Sequence, residues 1–272
     1  MKTQSKPASQ SGGNLKSLFT VGAIIVEFIL AIIIYIYILG DSSHFANGDI
    51  NNHPVDTFGV IYRGGVLVPL LITLALMVIT FGIERAITIS IASGKGSTQS
   101  FVRKIKNLVE SNNVDQALTE CDKQKGSVAN VVKAGLHKYS ELSKNSSIEV
   151  DKRIQLIQKD IEETTQLEMP MLQQNLVILA TVASIATLMG LLGTVIGMIK
   201  SFKALATAGA PDSVALASGI SEALINTALG IGTSAVAIIL YNYFTNKIDA
   251  LTYGIDEAGF SIVQNFTSQA KV

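Results

Sequence analysis

The sequence has no tryptophan, one cysteine and five prolines, and only 15% of its 272 residues are charged. Each shortage excludes something. Cys121 lies in a polar stretch, and with no second thiol it can close no internal disulfide and complete no CxxC or metal-binding motif. Basic and acidic residues balance at 21 each, and the pI is near 6.8. That leaves no basic excess of the kind that holds a nucleic-acid backbone by counterion release, so no nucleic acid is expected as a partner. His44, His53 and His137 are scattered and read as ordinary loop or surface histidines. No Ser-His-Asp, HExxH or paired-Asp arrangement stands in or near the apolar runs, so neither an enzyme nor a cofactor or metal is expected. The stretch GKGST, Gly94 to Thr98, shares a Gly-Lys pair with phosphate loops. A Walker motif needs glycine five residues before that pair and Ser or Thr directly after the lysine. Ile89 and Gly96 occupy those positions, so GKGST reads as a flexible turn.

Apolar residues are what the chain has in quantity: 48% of the sequence, with a mean hydropathy of +0.41, which indicates a membrane protein. A helix needs about 20 apolar residues to cross a bilayer. Four runs meet that length, Leu18–Leu39, Val66–Ile91, Leu176–Ile199 and Val214–Tyr243. The first follows Lys2, Lys6 and Lys16 as a signal peptide would. Its apolar core exceeds the roughly 7 to 15 residues of such a peptide and no A-x-A site follows, so it reads as a retained span.

Basic residues collect at the cytoplasmic ends of spans. The N-terminal lysines have no accompanying acid, so that end is expected in the cytoplasm. Asp41, Asp49 and Asp56 outnumber Arg63 in the next connection, which suits the outside, and Lys95, Arg103, Lys104 and Lys106 return the chain inside. Lys200 and Lys203 run against the pattern, because this topology puts their connection outside. The resulting plan is a cytoplasmic tail (1–17), an extra transmembrane helix (18–39), a periplasmic connection (40–65), a transmembrane helix (66–91), a cytoplasmic helical domain (92–175), a transmembrane helix (176–200), a periplasmic loop (201–213), a transmembrane helix (214–245) and a cytoplasmic C-terminal tail (246–272). The first dozen residues, with their Ser, Gln, Gly and Pro, read as disordered. In the cytoplasmic stretch Val150, Ile154, Ile157 and Ile161 mark one face of an amphipathic helix. That helix is expected to continue into the third span, bent near Pro170.

Placed at about 100° per residue, the fourth span gathers Glu222, Asn226, Thr233, Gly230, Ala237, Ala223, Ser234 and Thr227 into one arc. The third does the same with Thr194, Thr187, Ser201, Ala183, Gly190, Ala180 and Gly197. Val21 to Leu39 is apolar nearly all round apart from Glu27, and Val66 to Phe81 apart from Thr73 and Thr80, which puts the first two spans on the periphery. Stripes of small residues also serve simple helix packing, and Gly193 to Gly197 is a GxxxG. Glu222 adds a different signal: an acid near a helix centre costs about 2.5 to 3.5 kcal/mol on insertion and generally faces a bundle interior, a wet cavity or a pathway. Glu84 and Arg85 can form a mutual ion pair at the cytoplasmic edge, while Glu27 has no evident partner.

MGLLGTVIGMIKSF (Met189 to Phe202) and GISEALINTALGIGTSAVAIILYNYF (Gly219 to Phe244) closely resemble the two signature spans of the ExbB/TolQ/MotA proton-channel family, nearest the ExbB and TolQ branch. GIERA after the second span, and LVESNNVDQALTECDKQKGSVANVVKAGL (Leu108 to Leu136), resemble the same branch. The resemblance implies an all-α integral membrane protein with four transmembrane helices, one of them extra at the N-terminus, and long helices extending into a cytoplasmic helical domain. It implies a homopentamer in the bacterial inner membrane, multi-pass with both termini cytoplasmic, whose spans 176–200 and 214–245 line a central pore. In the family that pore holds a dimer of ExbD- or TolR-like subunits, each with one proton-carrying Asp. Thr194 and Thr227 fall on the family's pore threonines and Glu222 on its acid. With Thr187, Asn226 and Thr233 from the striped faces, they are the candidate proton-pathway residues.

The implied function is that of an ExbB-like subunit converting proton motive force into work, delivered through a TonB-like protein to outer-membrane transport. A TolQ-like role in cell-envelope maintenance and a membrane scaffold without proton conduction are the alternatives. Two features depart from the ExbB and TolQ pattern: the extra first span, and Thr187 where the family has a proline.

Overall fold

The computed structural model describes residues 11–144, 147–206 and 213–270; the N-terminal stretch expected to be disordered lies almost wholly outside them. Among the described residues the chain is helical and contains no strand. The helices are α1 (Ser11–Ile33), which continues as a π-helical turn over Ile34–Leu39, α2 (Thr57–Tyr62), α3 (Leu67–Ser93), α4 (Thr98–Glu110), α5 (Val114–Gln124), α6 (Gly126–Ser143), α7 (Val150–Gln173), α8 (Leu176–Ala206) and α9 (Ser213–Ala270). Four helical stretches, in α1, α3, α8 and α9, are long and apolar enough to cross a membrane. Of the loop expected at 201–213, the first six residues are the last turns of α8.

The chain forms two compact units, residues 1–80 with 179–238, and residues 81–178 with 239–272. In the first, α1 exposes Val21, Ile25, Val26, Ile29 and Ile33, the apolar surface that lipid would cover. At its end Tyr35 stacks on Tyr62 with ring centroids 4.7 Å apart and donates a hydrogen bond to the Tyr62 carbonyl at 3.2 Å. The connection after α1 is built on side-chain caps. Asp56 Oδ1 accepts from Gly59 N at 3.0 Å to start α2, and Asp56 Oδ2 pairs with His44 Nδ1 at 2.6 Å. The Gly59 N–H and then the His44 ring hold the Asp56 carboxyl below the usual range. Arg63 Nη2 donates to the carbonyls of Ile50 and Asn52 at 2.9 and 2.7 Å, over a buried Phe45. Gly65 then takes φ +77, where a side chain would be strained, and turns the chain into α3.

The second unit is a bundle. Phe101, Val102, Ile105 and Val109 of α4, Ala117 and Cys121 of α5, Val128, Val132, Leu136 and Tyr139 of α6, and Ile157 and Ile161 of α7 are buried. Arg85 of α3, 1% exposed, ties this unit together. Its Nε and Nη2 reach Glu84 at 2.6 and 2.5 Å, while Nη1 donates to the carbonyls of Leu172 and Met171 at 3.1 and 3.3 Å. Those carbonyls end α7, where no intrahelical N–H remains for them, so an arginine there completes the helix. The bend expected at Pro170 is instead a break beyond it. Gln174 N closes onto the Pro170 carbonyl, and Asn175 adopts φ +63 with its Nδ2 donating to Glu84 Oε2 at 3.3 Å. Asparagine tolerates this left-handed conformation better than most residues, which is why the chain turns there.

The segment read as a C-terminal tail is the second half of α9. Ile248, Leu251, Ile255, Ala258, Ile262 and Phe266 are buried at helical spacing. Tyr139 OH meets Asn265 Oδ1 at 3.0 Å and Gln269 Oε1 at 2.9 Å.

Candidate functional site

The small residues of α8 and α9 meet each other. On α8 the buried row is Ala183, Ala186, Gly190, Gly193, Gly197 and Ser201; on α9 it is Gly219, Ala223, Asn226, Gly230, Ser234 and Ala237. A Cβ on Gly230 would lie 2.5 Å from the Ala186 carbonyl, and one on Gly197 2.6 Å from the Gly219 carbonyl, so the two backbones touch where glycine allows it. Hydroxyls then bond across the seam: Ser234 Oγ to the Ala183 carbonyl at 2.7 Å and Ser201 Oγ to the Leu216 carbonyl at 3.1 Å.

The candidate residues occupy three different settings. Asn226 is enclosed in the seam at 0% exposure, donating from Nδ2 to the Gly64 carbonyl at 2.8 Å, while its Oδ1 has no partner among the described residues. A Cβ on Gly193 would lie 2.3 Å from the Asn226 Cβ, so Gly193 is what makes room for the amide. Glu222, 8% exposed, sits at one edge of the seam, and Lys200 Nζ of α8 holds both its oxygens at 2.6 and 2.8 Å. Gly65 packs onto this carboxylate, since a Cβ there would be 2.7 Å from Glu222 Oε1. Thr233 is half-buried, and by the helical wheel it lies on the same edge as Glu222.

Thr227 is half-buried on the opposite edge of the α9 row, about 140° around the helix from Glu222. Its Oγ1 is 3.1 Å from the Gly190 carbonyl and 3.0 Å from the Ala223 carbonyl. One hydroxyl proton can serve only one of them at a time. Thr194 is half-buried and Thr187 exposed; each bonds back to its own helix, to Leu191 O at 2.5 Å and Ala183 O at 3.4 Å.

The structure therefore brings Glu222 and Asn226 together with Lys200 and the Gly64–Gly65 turn, and leaves the α8 threonines on an open face. Sequence reasoning missed Lys200, which appeared only as a topological misfit. The signal was present: it is the cation on the neighbouring apolar span at the same end as Glu222.

Residues 123–257 match the model described as the MotA/TolQ/ExbB proton channel family. The Tol-Pal system protein TolQ of Pseudomonas aeruginosa is 33% identical over 124 residues, which is 46% of this chain and 54% of that protein. The biopolymer transport protein ExbB of Pseudomonas putida is 35% identical over 86 residues, 32% of this chain and 26% of that protein. TolQ of Haemophilus influenzae is 39% identical over 94 residues, 33% of this chain and 41% of that protein. The chain thus spans about half or less of the length of these relatives.

Proposed function

Because this chain belongs to the MotA/TolQ/ExbB proton channel family, we propose that it is the ExbB-like subunit of a proton-driven motor in a bacterial inner membrane. Five copies would enclose a pore holding an ExbD-like dimer. Protons moving down the proton motive force would neutralise the partner's Asp, the dimer would move, and a TonB-like protein would carry the work to outer-membrane transport.

The observation that carries this reading is the disposition of hydroxyls and charge along α8 and α9. Thr187, Thr194 and Thr227 offer hydroxyls with no fixed positive charge among them, so they can solvate a carboxylate as it gains and loses a proton without trapping it. The acid of these spans, Glu222, is ion-paired with Lys200 at 2.6 Å. A titrating carboxylate in the pore is therefore best supplied by another chain, with Asn226 and Thr233 shaping the helix pair behind it. A TolQ-like role is the second reading, favoured by TolQ relatives of comparable identity.

Vesicles containing this chain alone should pass few protons under an imposed gradient, and vesicles containing it with its Asp-bearing partner should pass many. Equal flux in both would remove the partner-dependent mechanism. Whether the partner that co-purifies sustains nutrient uptake or envelope integrity separates the two roles.

A further inference from the structure

Where the apolar run of α3 ends, its following turn is clasped to the start of α6. Lys95 N donates to the Gln124 carbonyl at 2.7 Å, and Gln124 Nε2 to the Ser93 carbonyl at 3.4 Å. The approach excludes side chains: a Cβ on Gly94 would lie 2.2 Å from Lys125 O, and one on Gly126 2.3 Å from Ala92 O. Lys125 itself is held at φ +57, an uncommon conformation for a residue with a side chain. Beside the clasp is a cavity of about 360 Å³ bordered by Lys95, Lys125, Ser127 and Asn130, with Ile91 and Met171 as apolar neighbours.

Three features of this cavity bear on what it could hold. The 18-residue helix α6 begins at Gly126 with no side-chain cap and no acid in its first turn, so its first N–H groups and the positive end of its dipole are uncompensated. Ser127 is 1% exposed and lines the cavity, yet among the described residues its Oγ has no hydrogen-bond partner. A buried hydroxyl is nearly always bonded, and an oxygen of a ligand in this cavity would supply the missing partner. Lys95 and Lys125 are two lysines of the lining, while Asn130 is engaged with Glu168 Oε1 at 3.0 Å. Hydroxyl, N–H groups and ammoniums are all donors, the set that suits a phosphate.

We propose that this cavity binds a phosphate group, held by Lys95, Lys125, the Ser127 hydroxyl and the first N–H groups of α6. The phosphate is carried by a phospholipid headgroup or is free in solution. A lipid would lay its chain along Ile83, Ile87 and Ile91, which step by four along α3 and are 57%, 57% and 69% exposed. The Gly-Lys pair of GKGST then meets phosphate at the start of another helix, not in a Walker loop. The site stands independently of the proton mechanism, and its test does not read flux.

The purified full chain in detergent is titrated with phosphatidylglycerol, followed by native mass spectrometry, and separately with inorganic phosphate, followed by phosphorus NMR. Saturable binding of either probe, weakened about tenfold in the double variant Lys95→Gln, Lys125→Gln and retained in Lys95→Arg, is the expected result. Lipid binding alone assigns the headgroup, and binding of inorganic phosphate assigns the free ion. Ser127→Ala should also weaken binding without lowering the melting temperature, and Lys95→Gln alone replaces the double variant if that does not fold. Absence of both kinds of binding, or equal binding by the lysine variant, overturns the proposal.

Discussion

The Lys200–Glu222 pair joins a lysine side chain that is 53% exposed to a glutamate side chain that is 11% exposed, so the two do not lose equally when parted. Lys200→Met would strand a carboxylate in a nearly closed site, whereas Glu222→Gln leaves a lysine that can reach water. Denaturation in detergent should find the lysine variant the less stable of the two, by about 1–2 kcal/mol. The double variant should recover part of the loss, and strictly additive effects would mean the pair contributes nothing. Cys121 gives a second residue-scale prediction. It is 2% exposed, and burial pushes its thiol up to about 12. At neutral pH it should stay a protonated, hidden thiol, so maleimide should label it only as the bundle unfolds. Rapid labelling of the folded chain would contradict its place in the core.

Among the elements, Arg85 of α3 is the side chain that bonds the last carbonyls of α7. Arg85→Met keeps the bulk but removes the donors to the Leu172 and Met171 carbonyls and leaves Glu84 without its ion pair. It should lower stability by about 2–4 kcal/mol in denaturant melts, and a change within about 0.5 kcal/mol would show that the latch carries no weight. The helices themselves were legible in the sequence to different degrees. Spans announce themselves because lipid demands an unbroken apolar run, and the small faces of α8 and α9 showed on a helical wheel. The wheel could not say that each small face would meet the other within one chain, since self-packing and pore lining ask for the same residues. That is how Asn226, enclosed at 0% exposure, came to be grouped with Thr194 on an open flank. The second half of α9 is mixed in average composition, which hides its helix from a reading by composition. Ile248, Leu251, Ile255, Ala258, Ile262 and Phe266 step by three or four and were the signal for a packed helix.

At the scale of the whole molecule, the family model covers residues 123–257, so α1 and the connection after it lie outside what the family explains. Within the first unit that addition is tied to the Glu222 region: Tyr35 bonds the Tyr62 carbonyl, Gly65 packs on Glu222 and Gly64 accepts from Asn226. The end of the extra span is thus linked through Tyr62 and the Gly64–Gly65 turn to the Glu222 and Asn226 side of α9. Solvation of the partner's carboxylate by the threonines of α8 and α9 is the central claim, and proton flux through the co-expressed complex tests it most directly. Thr227→Val and Thr194→Val keep the side-chain shape and remove only the hydroxyl. The account predicts a fall in flux of about tenfold or more for each, with assembly unchanged. Undiminished flux in both variants would contradict it.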